Sequence, residues 1–306
     1  VYQRITSLKL TVERMLRSVP LTRAGGVPST ERYTATSVLS QGQWVKIAVS
    51  ETGVYRITHS ELRAMGFDEP SRVRLYGQGG RMMSENAIQD CVDDLKEVPL
   101  FRRNGDVLFY AQGTVSWTRT SKGFEHSQNT YSTKGCYFLT EDSSVEPLDF
   151  PVQEELADAG AMVVDTYPDY LLHEKDELSW LHRGRVFFEN ADYKSGHTGT
   201  YTFNIPGVVP EKEARVKVAF GSNDASSSNV HVLVNGNETG NFSIPAISGY
   251  TKFQTNGKEF DCTNQLADRT TISLVHKSAA SGYLDYVTLN FTRQLALRGA
   301  YTCFRS

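Results

Sequence analysis

Apolar and polar residues alternate in short runs along most of this 306-residue chain, the two-residue period that sends successive side chains to opposite faces of a strand. Leu8, Leu10 and Val12 alternate with Lys9, Thr11 and Glu13, and a Pro-, Gly-, Ser- and Thr-rich stretch over 18–43 follows, which reads as a linker behind a leftover strand. From Trp44 the alternation is dense. Trp44-Val45-Lys46-Ile47-Ala48-Val49 and Gly53-Val54-Tyr55-Arg56-Ile57 flank a short Ser-Glu-Thr-Gly turn, which predicts a hairpin. Thr58 then opens a short helix: its hydroxyl can cap Glu61, Glu61 can bond back, and Leu62 and Met65 give one apolar face. Gly66 ends it where a left-handed residue is needed. Further strands are expected at 72–76, 97–101, 106–112 and 135–140, before acidic residues with Pro147 and Pro151 close the unit.

A connecting segment over 151–184 follows, with a helix expected at 170–181. The pattern over 185–306 is more regular. Tyr201/Phe203/Ile205, Val216/Val218/Phe220, Val230/Val232/Val234 and Ile272/Leu274 each step by two, and a long last strand puts Tyr283, Val287, Leu289 and Phe291 on one face. Val234-Asn235-Gly236-Asn237 suits a tight hairpin turn with positive φ. The predicted organisation is therefore 1–43 strand and linker, 44–150 a small β-rich domain, 151–184 connector, and 185–306 a β-sandwich of jelly-roll type. The fold class is all-β, mostly antiparallel, with few short helices.

Composition narrows the function classes. A net charge of −3 gives no basic footprint for nucleic acid. No apolar run approaches the roughly 18 residues of a membrane-spanning helix. The chain opens on Val1 without a signal peptide, so an export signal is expected to have been removed. Cys91, Cys136, Cys262 and Cys303 are scattered, with no CxxC pair, and read as isolated small hydrophobes.

Candidate chemistry is sparse. Asp90, Asp93 and Asp94 offer oxygens of the kind calcium takes, but the run lacks the glycine and closing carboxylate of a calcium loop, so a solvated acidic turn is expected. Asn223 and Asp224 read likewise as a polar loop tip. His126, within Phe124-Glu125-His126-Ser127-Gln128, is expected to tie down a loop, and His173 and His182 do not share a face for a metal. Trp117, Trp180, Tyr250 and Phe253 are the rings to test for sugar stacking, against a core role for each. Nucleophilic catalysis needs a Ser or Cys beside an oriented base. No Gly-x-Ser-x-Gly elbow occurs, no histidine precedes glycine and no cysteine follows alanine. Hence no catalytic residue, cofactor or metal ligand is assigned.

One stretch is specific. Gly42-Gln43-Trp44-Val45-Lys46-Ile47, Glu51-Thr52-Gly53-Val54-Tyr55-Arg56-Ile57 and Met65-Gly66-Phe67 are followed by Val73-Arg74-Leu75-Tyr76-Gly77-Gln78-Gly79-Gly80 and by 105–113. With Trp117, Phe124, His126, Asn129-Thr130-Tyr131-Ser132 and Tyr137-Phe138-Leu139, this series resembles the opening of the PorU-like sortases of the type IX secretion system, within the gingipain-type cysteine peptidases of Bacteroidetes. The resemblance covers about 100 residues by motif, and the rest of the chain by architecture and the closing 283–297 strand. It implies a non-catalytic region preceding a caspase-like domain that holds a His/Cys dyad, in a protein secreted to the outer-membrane surface. There the family cleaves the C-terminal signals of exported cargo. The implied partners are that downstream domain, secretion components and cargo. The alternative is a carbohydrate- or surface-binding sandwich, and a Gly-His…Ala-Cys domain further along the gene would separate the two.

Overall fold

Two antiparallel β units follow one another in the computed structural model, which describes residues 34–84, 92–151, 164–182 and 184–296. The strand expected at 8–12, together with Asp90, Cys91 and Cys303, lies outside those residues. About 50% of the structure is strand and 7% helix, as an all-β chain requires.

The first unit contains β1 (Trp44–Val49), β2 (Gly53–Ile57), α1 (His59–Ala64), β3 (Val73–Gly79), β4 (Glu97–Val98), β5 (Phe101–Arg103), β6 (Asp106–Ala111), β7 (Val115–Thr120), β8 (Gly123–Gln128) and β9 (Gly135–Glu141). One sheet runs β1-β9-β3-β4 and a second β2-β6-β5; among the described residues β7 pairs only with β8. Val49, Leu75, Tyr137 and Leu139 of the first sheet meet Ile57, Val107 and Phe109 of the second in one core, with Leu62 of α1 and Phe67 added. The α1 start follows its sequence signal: Glu61 N–H donates to Thr58 Oγ1 at 3.2 Å and Thr58 N–H to Glu61 Oε2 at 2.7 Å.

The expected β1–β2 hairpin does not form. Both strands exist, but β1 pairs with β9 and β2 with β6, so residues 50–52 cross between sheets. The crossing is fastened from later in the chain. Thr52 Oγ1 accepts from Gly113 N–H at 3.0 Å and from Gln112 Nε2 at 2.9 Å. Local alternation fixes the strands but not their partners.

Gly79 joins the two sheets. It sits at φ +71° beside a register shift in β3, and a Cβ there would lie 2.3 Å from the Gln112 carbonyl oxygen. Gly79→Ala is expected to cost about 2–3 kcal/mol, because left-handed strain of roughly 1–2 kcal/mol adds to a backbone clash. Chemical denaturation checks this, and an unchanged midpoint contradicts it.

The second unit contains β10 (Thr166–Glu174), β11 (Thr198–Asn204), β12 (Arg215–Ser222), β13 (Ser228–Val234), β14 (Asn237–Ile244), β15 (Gln254–Asp261), β16 (Arg269–Lys277) and β17 (Gly282–Gln294). Sheets β10-β17-β12-β15 and β11-β16-β13-β14 enclose a core of Phe203, Val216, Val218, Phe220, Val230, Val232, Val234, Ile272, Leu274, Val287 and Leu289. These are the residues that step by two in the sequence. Asn235 and Gly236 take φ +50° and +83°, giving the two-residue turn between β13 and β14.

Two expectations are corrected. The helix at 170–181 is instead β10, followed by a short 3-10 turn over Trp180–His182. Nine residues of β10 pair with β17, and its inward Asp169 is buried against Arg293 at 3.2 Å. A buried carboxylate breaks the apolar alternation that marks a strand, and Pro168 is tolerated because β10 is an edge. In β17, Leu284 rather than Tyr283 shares the inner face with Val287 and Leu289. Against β12, Ala219 pairs with Tyr286 but Phe220 with Leu284, so Asp285 is an extra residue in a bulge. One extra residue exchanges the two faces of everything before it.

Candidate functional site

The β7–β8 hairpin leaves the first unit and lies on the outer face of the β10-β17-β12-β15 sheet. Gly123, at φ +124°, lets the strand approach Asn290 of β17, where a Cβ would sit 2.8 Å from the Asn290 side-chain oxygen. That amide grips the backbone twice: Phe124 N–H donates to Asn290 Oδ1 at 2.7 Å, and Asn290 Nδ2 donates to the Phe124 carbonyl at 3.1 Å. Trp117 stacks on Tyr170 of β10 with ring centroids 3.8 Å apart, and Phe124 tilts against the same ring at 4.7 Å.

His126 occupies the middle of this seam. Its ring stands edge-on to Tyr286 at 4.4 Å, and Nε2 lies 3.3 Å from Glu174 Oε2. Both side chains are about nine-tenths buried, with 9% and 10% of their surfaces exposed. A cavity of about 60 Å³ opens beside them, lined by Glu125, Lys217, Glu259, Tyr286 and Thr288 among others, enough for ordered water. Burial and then Glu174 and Asp176 push the Asp285 carboxyl up to about 7. Asp176 is raised by burial and by Glu174. Burial, with Asp285, Glu174 and Glu125 adding to it, pushes the Tyr286 hydroxyl up to about 12.

A second polar cluster sits on the open side of the sandwich, between β10 and β11. A cleft of about 460 Å³ is lined by His173, Lys175, Glu189, Thr200 and Tyr201 among others. Glu189 accepts from Lys175 Nζ at 2.7 Å and from Tyr201 OH at 2.8 Å, and pairs with His173 Nε2 at 3.0 Å. Tyr193 and Tyr201 hydroxyls lie 2.5 Å apart. Burial opposes the Glu189 charge, but the Lys175, His173 and Tyr201 donors hold its carboxyl below the usual value. The carboxylate is satisfied by its own chain, which makes it a clamp between the two sheet edges.

The outer face of the β2-β6-β5 sheet carries exposed apolar side chains beside the Arg56–Asp106 ion pair. Val54 and Tyr110, opposite one another in register, are 70% and 56% exposed, and Phe101 is 51% exposed. Side chains of this kind gathered on one sheet face mark an interaction surface.

The remaining candidates do other things. Asp94 accepts from Ser37 Oγ at 2.8 Å and Val38 N–H at 2.7 Å, and Asp93 accepts from Thr34 N–H, so both fasten the segment before β1. Asp224 Oδ1 accepts from Ser226 N–H at 2.8 Å, and its other oxygen accepts from Ser278 Oγ. Asn223 Oδ1 is buried without a partner. Trp180 stacks on Phe253 at 4.7 Å and Trp117 on Tyr170, which leaves Tyr250 as the exposed ring of the four. His173 and His182 stay apart: His173 faces Glu189, while His182 sits exposed at φ +52°. Cys136 and Cys262 are free, and burial pushes the Cys262 thiol up to about 12, away from nucleophilic use. Sequence reasoning singled out Trp117 and His126 but expected His126 in a loop, where the structure has strand β8, and it missed Tyr170, Glu174, Asp176, Asp285, Tyr286 and Asn290. The alternation Phe124/His126/Gln128 was the one signal that pointed to β8.

No protein-family model matches the sequence, and no curated protein matches it. Among solved structures, the dimeric latent PorU from Porphyromonas gingivalis superposes with a TM-score of 0.77 at 26% identity over 88% of this chain. The fold is PorU-like. This chain spans 26% of that PorU chain. A family 35 carbohydrate-binding module from Cellvibrio japonicus Abf62 aligns over 42% of this chain and 100% of its own, at 14% identity and TM-score 0.30. A CBM36-1 domain of a xylanase from the hindgut metagenome of Trinervitermes trinervoides covers 40% of this chain and 96% of its own, at 14% and 0.27. Within the PorU-like frame, Gly79, Gly80 and Tyr137 sit where the two sheets of the first unit meet, and Trp117, Phe124 and His126 form the seam.

Proposed function

We propose that this chain is the non-catalytic β-rich region of a secreted PorU-like cysteine peptidase of the type IX secretion system, a scaffold on which the peptidase domain of the same polypeptide docks at the outer-membrane surface. The observation that carries this reading is the PorU superposition over 88% of this chain, which leaves most of that longer chain for other work. Two features agree with a scaffold. The seam ties the β units together through an asparagine clamp and a ring stack, and the face bearing Val54, Tyr110 and Phe101 offers apolar area of the kind interfaces cover.

The test uses the full-length polypeptide. Thiol-dependent peptide cleavage is expected, unchanged by Cys136→Ser. Val54→Asp with Tyr110→Asp is expected to lower cleavage or active yield about tenfold, the effect of roughly 1.4 kcal/mol lost from docking. Unaltered cleavage by the double variant sinks the docking face. Loss of cleavage with Cys136→Ser sinks the non-catalytic assignment.

A further inference from the structure

The seam gathers carboxylates from several elements. Glu174, the last residue of β10, lies opposite Tyr286 in register, so the bulged Asp285 sits one position away and Asp176 follows two residues beyond Glu174. From the hairpin, His126 faces Glu174 at 3.3 Å, Gln128 Nε2 reaches Asp176 Oδ2 at 3.5 Å, and Glu125 lies beside Tyr286. Lys217 of β12 lines the adjoining cavity together with Glu259, whose carboxylate pairs with Arg215 at 2.9 Å. Lys175, next to Glu174 in sequence, points to Glu189. Beyond its charge contact with His126, the buried Glu174 Oε2 has no hydrogen-bond partner, and neither has the buried Gln128 Oε1.

We propose that the seam is a pH-sensitive latch: the β7–β8 hairpin, which reaches Glu174 through His126 and Asp176 through Gln128, grips the sandwich while the Glu174, Asp176 and Asp285 cluster keeps a proton, and it loosens as that proton leaves. A carboxyl half-shielded from water between two others holds its proton up to near neutral pH. Above that, Glu174, Asp176 and Asp285 are all negative within one partly buried patch, where repulsion is poorly screened. The Asn290 clamp and the Trp117–Tyr170 stack then hold the hairpin alone.

Amide hydrogen exchange on the 306-residue chain reads this out. Protection of 115–128, corrected for intrinsic rates and referred to the amides of β1 and β9, is expected to fall roughly tenfold from about pH 5.5 to about pH 8.5, as one unit of proton linkage gives. Asp285→Asn or Glu174→Gln is expected to remove the fall. Asn290→Ala is expected to lower protection equally at both ends of the range. A constant ratio in the parent overturns the latch, and so does a fall that persists in every carboxylate variant whose β1 and β9 amides remain protected.

Discussion

The Asp285→Asn variant is expected to be clearly more stable than its parent at pH 8 and no more stable at pH 4. The Asp285 carboxyl stands at about 7 in the folded chain, against an ordinary value of 3.8. A folded state with the higher pKa binds the proton first, so its advantage is complete below the unfolded value. It declines as pH rises between the two, and is gone above the folded value. A difference of about three units corresponds to roughly 4 kcal/mol, and the solvent contact that Asp285 keeps reduces this to about 2–4 kcal/mol. The substituted amide is neutral throughout and escapes the loss. Glu189 and Asp106, whose carboxyls are held low, give slopes of the opposite sign. The measurement is therefore the variant-minus-parent difference in denaturation free energy at the two pH values. Equal differences at both would refute the assignment.

Phe220→Ala is expected to destabilise the sandwich by about 3–5 kcal/mol, the range for deleting a buried ring that the surroundings cannot refill. Phe220 is fully buried in β12, edge-on to Tyr193 at 5.0 Å and tilted against His276 at 5.4 Å. Gly282 packs beside it so closely that a Cβ there would lie 2.7 Å from the Phe220 ring. His276 is buried as well, its Nε2 3.0 Å from Ser228 Oγ and its Nδ1 without a partner, and burial lowers its pKa. A cavity at position 220 would thus open beside a polar atom as well as remove ring contacts. Phe220→Leu keeps most of the volume and is expected to lose less than half as much. Urea denaturation with an unchanged slope distinguishes a lost contact from an altered unfolded state. A loss under about 1 kcal/mol for Phe220→Ala would contradict the packing described.

A local signal in one stretch of sequence gave a structure that could be read in advance. The α1 capping box needs only Thr58 and Glu61, and the β13–β14 turn only Asn235 and Gly236. The paired steps at Phe203/Ile205, Val216/Val218/Phe220 and Val230/Val232/Val234 fixed inner faces because each strand pleats with period two. What failed depended on a distant partner. β1 and β2 alternate like a hairpin, yet β2 finds its neighbour 50 to 58 residues later in β6 and β1 finds its own 86 to 96 residues later in β9. β10 lost its strand signature because Asp169 can be buried only once Arg293 arrives from the other end of the sandwich.

The seam was the least legible part. Trp117 and His126 could be named as notable residues, but their partners Tyr170, Glu174, Tyr286 and Asn290 come from two strands of the other unit. Asp285 reads as one more polar position in β17 until the register against β12 makes it a bulge. Hydrophobic periodicity and backbone capping act between residues a few positions apart, so sequence alone determined strand faces, the helix start and the tight turn. Pairing, bulges and the charge crowded between β8 and β10 depend on which surfaces meet, and a carboxylate's proton affinity depends on what is buried beside it. Those were decided only when the hairpin came to rest on the sandwich.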